Sequence, residues 1–304
     1  MPNPLDLPEA KRRAAKTYKD PPHDAEFLPL IVGAWARSPE VANSRNREMA
    51  VPGRRVRASW AGIPCDLAIR YLVDGVPETN PNTVADEYRL MIGTLVHDMM
   101  EKHLPEVFPL SQFEVKVDLI DIGLDGSATI DILLSEPDLN MTEVRRTLIE
   151  LKTVGGYQFK IMAAPFRGGP MGPRLGAVHQ AALSAEALKV DKMVVGYLST
   201  ELISEDLARK MGVDQIGRFT AEWHYGPDEI KVLAREARNR FLTILAEADA
   251  GVMTDPRIWD NEIAGAGLVI PQASGVVRVG QEVVKREWWG CDYCRHKSHC
   301  EGNA

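Results

Sequence analysis

A seven-residue run, Thr147-Leu148-Ile149-Glu150-Leu151-Lys152-Thr153, constrains this chain more than any other segment. Its apolar residues describe a strand at the centre of a sheet, yet two of its members are charged. In a strand, side chains two apart share a face, so Glu150 and Lys152 point the same way, and Ile149 and Leu151 point into the other layer. A charge in a central strand is costly unless it finds partners. Glu-x-Lys occurs four times in the chain, at Glu9/Lys11, Glu114/Lys116, Glu150/Lys152 and Glu229/Lys231. Most such pairs are ordinary solvent-facing ones; the third is set apart by its run, Leu148-Ile149-Glu150-Leu151-Lys152, which reads as a central strand. The preceding strand repeats the anomaly in Ile130-Asp131-Ile132. Two adjacent strands thus offer Asp131 and Glu150, enough oxygen donors to chelate Mg²⁺ or Mn²⁺. A carboxylate holding such an ion beside a lysine that orients a water is an arrangement suited to hydrolysis.

The remaining pattern supplies the elements around these strands. Tyr88, Met91, Leu95 and Met99 recur at three- and four-residue spacing and predict a helix from Asp86 to Leu104, with Pro105 as its stop. Apolar and polar residues alternate over Gln112–Ile122, a half-buried strand. Asp125-Gly126 signals a hairpin turn, and Ser127–Leu134 is the returning strand. After the strand Thr147–Thr153 come a Gly-Gly break at 155–156 and a Gly/Pro-rich loop at Pro165–Pro173. A helix over Leu175–Val190, strands over Lys192–Ser199 and Phe219–Tyr225, and a helix opened by Pro227 and ended by Gly251 complete the series. Residues 252–290 read as irregular. The order predicts an α/β core with a mixed sheet.

The chain has 304 residues, 45% hydrophobic and 26% charged, which excludes a disordered, collagenous or coiled-coil protein. No stretch approaches 18 consecutive apolar residues, so no membrane span is expected. Met1–Asp6 shows no secretory pattern, which leads us to expect a cytoplasmic protein. Thirty-six Lys and Arg against 43 Asp and Glu give a net charge of −7. That disfavours coating nucleic acid by bulk charge, but an enzyme acting on nucleic acid needs only a local basic track. Arg54, Arg55 and Arg57 form a short one before Cys65.

The four cysteines are distributed unevenly. Cys65 stands alone, and Cys291, Cys294 and Cys300 follow after 225 intervening residues. The last three, with His296 or His299, could build a local tetrahedral zinc site that needs nothing from Cys65. All four could instead hold an iron–sulfur cluster, tying the two ends of the chain together. Spacing leaves both readings open. A further candidate donor is His97, one helical turn after Gly93, where the glycine would permit close helix–sheet approach.

Taken in order, a Cys, Gly-x-x-x-His, an Asp on a strand, Glu-x-Lys, a Gln on a helix and Cys-x-x-Cys-x₅-Cys resemble the RecB-type branch of the PD-(D/E)XK nuclease superfamily. The resemblance is to its iron–sulfur members, which include the CRISPR-associated RecB-like exonucleases and the AddB nuclease domain. It spans Cys65 to Cys300. It implies a restriction-endonuclease-like core over 86–251 after an N-terminal extension over 1–50. The iron–sulfur subdomain would be assembled from 51–85 and 252–304. It implies that His97, Asp131, Glu150 and the Leu151 carbonyl bind Mg²⁺ or Mn²⁺, and that Lys152 positions the attacking water. Gln180 would lie near the scissile phosphate, and Cys65, Cys291, Cys294 and Cys300 would hold a 4Fe–4S cluster as a staple. Family members often carry Tyr four residues after the Gln; here that position is Ser184. Arg70 and Tyr71 resemble the arginine-plus-aromatic context after the first cysteine, with Arg70 joining Arg54, Arg55 and Arg57 as nucleic-acid contacts.

The implied activity is metal-dependent exonuclease action on DNA, at single strands or free ends, in recombination, repair or phage DNA metabolism. No GxxxxGK[ST] pattern occurs, so any ATP-driven unwinding would come from a helicase partner. Two other readings stand beside it: a non-catalytic cluster- or zinc-containing DNA-binding or assembly subunit, and a zinc-binding interaction protein.

Overall fold

The computed structural model describes residues 55–80, 84–137, 144–163, 172–254, 269–272, 275–278 and 294–302. The N-terminal extension, Arg54 and Cys291 lie outside them. Eight strands are present among the described residues: β1 Val56–Arg57, β2 Gln112–Asp118, β3 Gly126–Pro137, β4 Val144–Val154, β5 Lys192–Ser199, β6 Thr220–Tyr225, β7 Val269–Gln272 and β8 Gly275–Arg278. The helices are α1 Asp66–Val73, α2 Val84–Val107, α3 Gly156–Ala163, α4 Leu175–Leu188, α5 Glu205–Met211, α6 Pro227–Asp249 and α7 Lys297–Gly302.

β1 to β6 form one mixed sheet, in which β1-β3-β4-β5-β6 run side by side and β2 pairs with β3. β1 joins β3 and β4 joins β5 in parallel; the other contacts are antiparallel. β5 lies between β4 and β6, and its run Met193-Val194-Val195-Gly196-Tyr197 is buried throughout, as a strand covered on both faces requires. α4 contributes the buried Val178, Ala181, Ala182, Leu183 and Ala185 to the core, and α6 adds Ile230, Ala234, Ala237, Phe241 and Ile244. Pro227 is the first residue of α6, and the Glu229 carboxylate accepts the Gly226 N–H at 2.9 Å, closing the helix's start. The expected α/β core with a mixed central sheet flanked by helices is present. Among the described residues no helix is long and apolar enough to cross a membrane.

Two details differ from the sequence reading, the stop at Pro105 and the hairpin turn. α2 runs past Pro105 to Val107. A proline this close to a helix end forfeits one hydrogen bond and does not terminate the helix. Tyr88, Leu95 and Met99 are exposed on α2, at 46%, 57% and 50% of their surface. The opposite side of the helix, bearing His97, faces the sheet. The hairpin does not turn at Asp125-Gly126. Leu119 and Leu124 are buried, Ile120–Ile122 forms a 3₁₀ turn, and Gly123 takes φ +74°, so the connection is a longer inward-folded loop. Gly126 already belongs to β3. A Cβ there would meet the Val56 backbone oxygen at 2.5 Å, so glycine is required by the parallel β1 pairing.

Candidate metal centre

β3 and β4 exchange ladder bonds from Pro137↔Val144 to Ile132↔Ile149. One step further the register sets Asp131 opposite Glu150, and there side chains take over from the ladder. Asp131 Oδ2 accepts the Leu151 N–H at 2.7 Å. The Leu151 carbonyl lies 3.3 Å from His97 Nε2, and His97 Nδ1 lies 3.8 Å from Asp131 Oδ1. A carbonyl only accepts, so the tautomer that satisfies it carries hydrogen on Nε2 and leaves the Nδ1 lone pair facing the carboxylate. Helix α2 and strands β3 and β4 thus converge on one point. Gly93 does not serve the close approach expected of it, because a Cβ at that position would meet nothing within 4 Å.

Glu150 is buried, at 1% exposure, and its Oε2 has no hydrogen-bond partner. Lys152 Nζ donates to Glu150 Oε1 at 2.5 Å and to Gln180 Oε1 at 3.3 Å. Burial raises the Glu150 pKa, attraction to Lys152 works against it, and repulsion from Asp131 and Glu114 adds to it; the carboxyl is pushed up to about 7. For Lys152, burial favours loss of the proton, but the Glu150 charge outweighs it and the net direction is upward. Lys152 is therefore an ammonium at neutral pH. Across the parallel register it faces Tyr197, whose buried hydroxyl accepts the Arg174 N–H at 3.1 Å.

One residue of the site carries no mark in the sequence. His97, Glu114 and Asp131 each offer a ligand atom, and these atoms all lie within 4.8 Å of one another. Glu114 is flanked by the pairs Phe113↔Ile132 and Val115↔Ile130, so the register sets it against Asp131. Its own backbone takes φ +49°, a left-handed conformation rare for a residue with a side chain. With Met100, Glu101, Phe113, Ile132 and Leu151, the three line a solvent-open cleft of about 250 Å³. The sequence alone pairs Glu114 with Lys116 as a surface ion pair; a correct β2–β3 register is the signal needed to find it.

Of the basic residues expected to touch nucleic acid, Arg54 lies outside the described residues. Arg70 is buried, and its guanidinium is taken up by Asp74 at 2.6 Å and the Val252 carbonyl at 2.7 Å, so it braces α1 and offers no open face to a phosphate. Arg55 is exposed and paired with Asp125 at 2.8 Å. Arg57 is half-buried on β1. Ser184, where the resemblance expects an aromatic ring, is buried and donates to the Gln180 carbonyl at 3.3 Å.

The two cysteine-bearing regions meet. Cys65 is the N-cap of α1, and Tyr71 on that helix packs against His296 and His299 with ring centroids 5.3 and 5.9 Å apart. The N–H groups of Thr79 and Asn80 both donate to the Arg295 carbonyl, at 2.8 and 3.0 Å, and Asn80 Nδ2 donates to the Cys294 carbonyl at 3.3 Å. Cys65, Cys294 and Cys300 are half-buried. Burial raises the Cys294 thiol pKa, the His296 backbone N–H lowers it, and neighbouring Cys300 raises it again. Among the described residues, no set of three groups including Cys294, Cys300 and a histidine comes within ligand distance.

No family model matches this chain, and no curated protein matches it. Among solved structures it is similar to SSO0001, at 13% identity and a TM-score of 0.42 over 67% of this chain and 83% of that one. It is also similar to LHK-Exo, an alkaline exonuclease from Laribacter hongkongensis, in complex with dAMP, at 14% identity and a TM-score of 0.41 over 65% and 89%. A phage related exonuclease from Haemophilus somnus 129PT matches at 12% identity and a TM-score of 0.29 over 64% and 96%.

Proposed function

We propose that this chain is a metal-dependent nuclease that hydrolyses DNA phosphodiester bonds, acting on single strands or free ends as an exonuclease. The observation that carries the reading is the convergence of His97, Asp131 and the Leu151 carbonyl, with the buried Glu150 and its Lys152 ammonium on the same stretch of β4. The donor set is one imidazole with carboxylate and carbonyl oxygens, which suits Mg²⁺ or Mn²⁺. The buried Glu150 Oε2, which has no hydrogen-bond partner, has the character of a cation ligand. When bound there, the ion supplies Lewis acidity toward a phosphoryl oxygen and the attacking water.

The chain's own residues perform the rest. His97, Asp131, Glu150 and the Leu151 carbonyl hold the ion. Lys152, braced between Glu150 and Gln180, hydrogen-bonds the attacking water and offsets charge gathering on the phosphate. Gln180 spends its oxygen on Lys152, which leaves its amide N–H groups for the substrate. Cys65, Cys291, Cys294 and Cys300 hold a 4Fe–4S cluster that fastens the docked terminal regions, and unwinding of duplex DNA falls to a partner helicase.

The test is degradation of end-labelled single-stranded DNA under anaerobic conditions with Mg²⁺ or Mn²⁺. Lys152→Ala should lower kcat on the order of 10²–10³-fold, the size of losing one preorganised charge-stabilising donor. Activity equal to the unaltered protein in that variant refutes the assignment. Brown colour and four-iron content that disappear in Cys65→Ala support the cluster; a colourless zinc protein whose metal survives Cys65→Ala and is lost in Cys300→Ala replaces it with the local zinc site.

A further inference from the structure

Glu114 has a place in this cleft that the nuclease reading does not use. It is an exposed residue of β2, so packing does not hold its side chain near Asp131. Its carboxylate nevertheless lies within 4.8 Å of ligand atoms on both Asp131 and His97. Like charges facing each other across two strands destabilise a sheet. A third carboxylate is near enough for its charge to be felt: Glu150, buried, with one oxygen against Lys152 and the other without a partner. Against these three carboxylates Lys152 supplies a single positive charge, already engaged with Glu150 and Gln180. The imidazole among them presents a lone pair. Acidic groups alone do not make a site, but a lone-pair nitrogen and a buried carboxylate oxygen with no hydrogen-bond partner, Glu150 Oε2, are what a divalent cation would satisfy.

We propose that Glu114 is a direct ligand of the cation, so that β2 closes the site together with α2, β3 and β4. The proposal rests on reading the cleft as a cation site and extends it. Its consequence is that the metal-stripped protein binds Mn²⁺ firmly without DNA, because a donor from the outer strand covers the ion.

The experiment titrates metal-stripped full-length protein with Mn²⁺ in the absence of DNA and follows free Mn²⁺ by electron paramagnetic resonance. Glu114→Gln should weaken binding by about tenfold or more, at least the loss typical of residues one shell further out. Glu101→Gln, which removes an equal charge from the same cleft outside the trio, should weaken it by less than about threefold. In chelator, Glu114→Gln should melt at the same temperature as the unaltered protein or higher, since a like-charge contact is relieved, and it should gain less from Mn²⁺. Glu114→Gln binding as tightly as the unaltered protein, or losing no more than Glu101→Gln, overturns the proposal. If Asp131→Asn alone abolishes binding in that case, the cation site stands and only the role of Glu114 falls. If Asp131→Asn also binds normally, the site reading falls with it.

Discussion

At the scale of single residues, the titratable groups of this fold divide by whether water or a partner can reach them. His179 precedes Gln180 on α4 and is buried, with no hydrogen bond to either ring nitrogen. Packed against it from α6 are the half-exposed Glu236, 3.5 Å from Nε2, and the Arg240 guanidinium, whose charge it feels. Burial, and then Arg240, lower its pKa from 6.5 to about 4. Between those values the unfolded chain binds a proton that the native state refuses, so stability is present above pH 6.5 and drains away as pH falls toward 4. The gap corresponds to about 3 kcal/mol at most. His179→Leu should therefore flatten the acid limb: over pH 6.5 to 4.5 its urea stability should fall with a slope shallower by about one proton. Equal slopes in the two proteins would mean that His179 is charged in the fold. The same contrast explains which site residues the sequence could reveal. Asp131 and Glu150 stand out because each interrupts an apolar run. Glu114 sits in an ordinary polar–apolar alternation and has no such distinction.

At the scale of elements, register decides what the sequence can show. Placing the turn at Asp125-Gly126 pairs Leu124 with Ser127; the structure pairs Asp118 with Ser127. The difference of six residues would set Glu114 against Pro137, far from Asp131, so local pattern hides the outer carboxylate while it marks β5 to the residue and β3 and β4 to within three residues at either end. Burial of Leu119 and Leu124 overrides the local turn signal. Helix α2 shows the same limit of local pattern: spacing gives a stripe, and tertiary contact decides which side of the helix is inward. Two glycines make the point measurable. Gly93 on α2 has open space where a methyl group would go, whereas a Cβ on Gly176 of α4 would meet Gly62 Cα at 2.6 Å and the Ala61 oxygen at 2.9 Å. Gly93→Ala should stabilise the protein by roughly 0.5–1 kcal/mol, the usual gain in a helix interior. Gly176→Ala should cost about 1–3 kcal/mol, because α4 must back away from the turn over Ala58–Gly62. Guanidinium melts of the two variants should move in opposite directions; a loss of stability in Gly93→Ala would show that α2 sits closer to the sheet than this geometry allows.

At the scale of the whole molecule, the sheet and the cysteine-bearing regions are joined through α1 and α6. Arg240 on α6 pairs with Asp66, the first residue of α1, at 2.6 Å with both side chains almost fully buried, and it also donates to the carbonyls of Ala61 and Ile63. At the other end of α1, Arg70 reaches the Val252 carbonyl just beyond α6. α1 in turn carries Tyr71 against the histidines of the C-terminal turn. The docking of residues 294–302 therefore depends on a helix that α6 clamps at both ends. Removing one member of a buried pair leaves the other charge without compensation, which costs about 3–5 kcal/mol, whereas removing both costs far less. Asp66→Ala should lose stability of that size in urea, and Asp66→Ala/Arg240→Met should recover much of it. Because the clamp positions α1, the single variant should also expose Cys294 and Cys300 to a thiol reagent faster than the unaltered, metal-stripped protein. A loss under about 1 kcal/mol with unchanged thiol reactivity would mean that the C-terminal turn is held by its own contacts to residues 77–80 and that the buried pair serves the core alone.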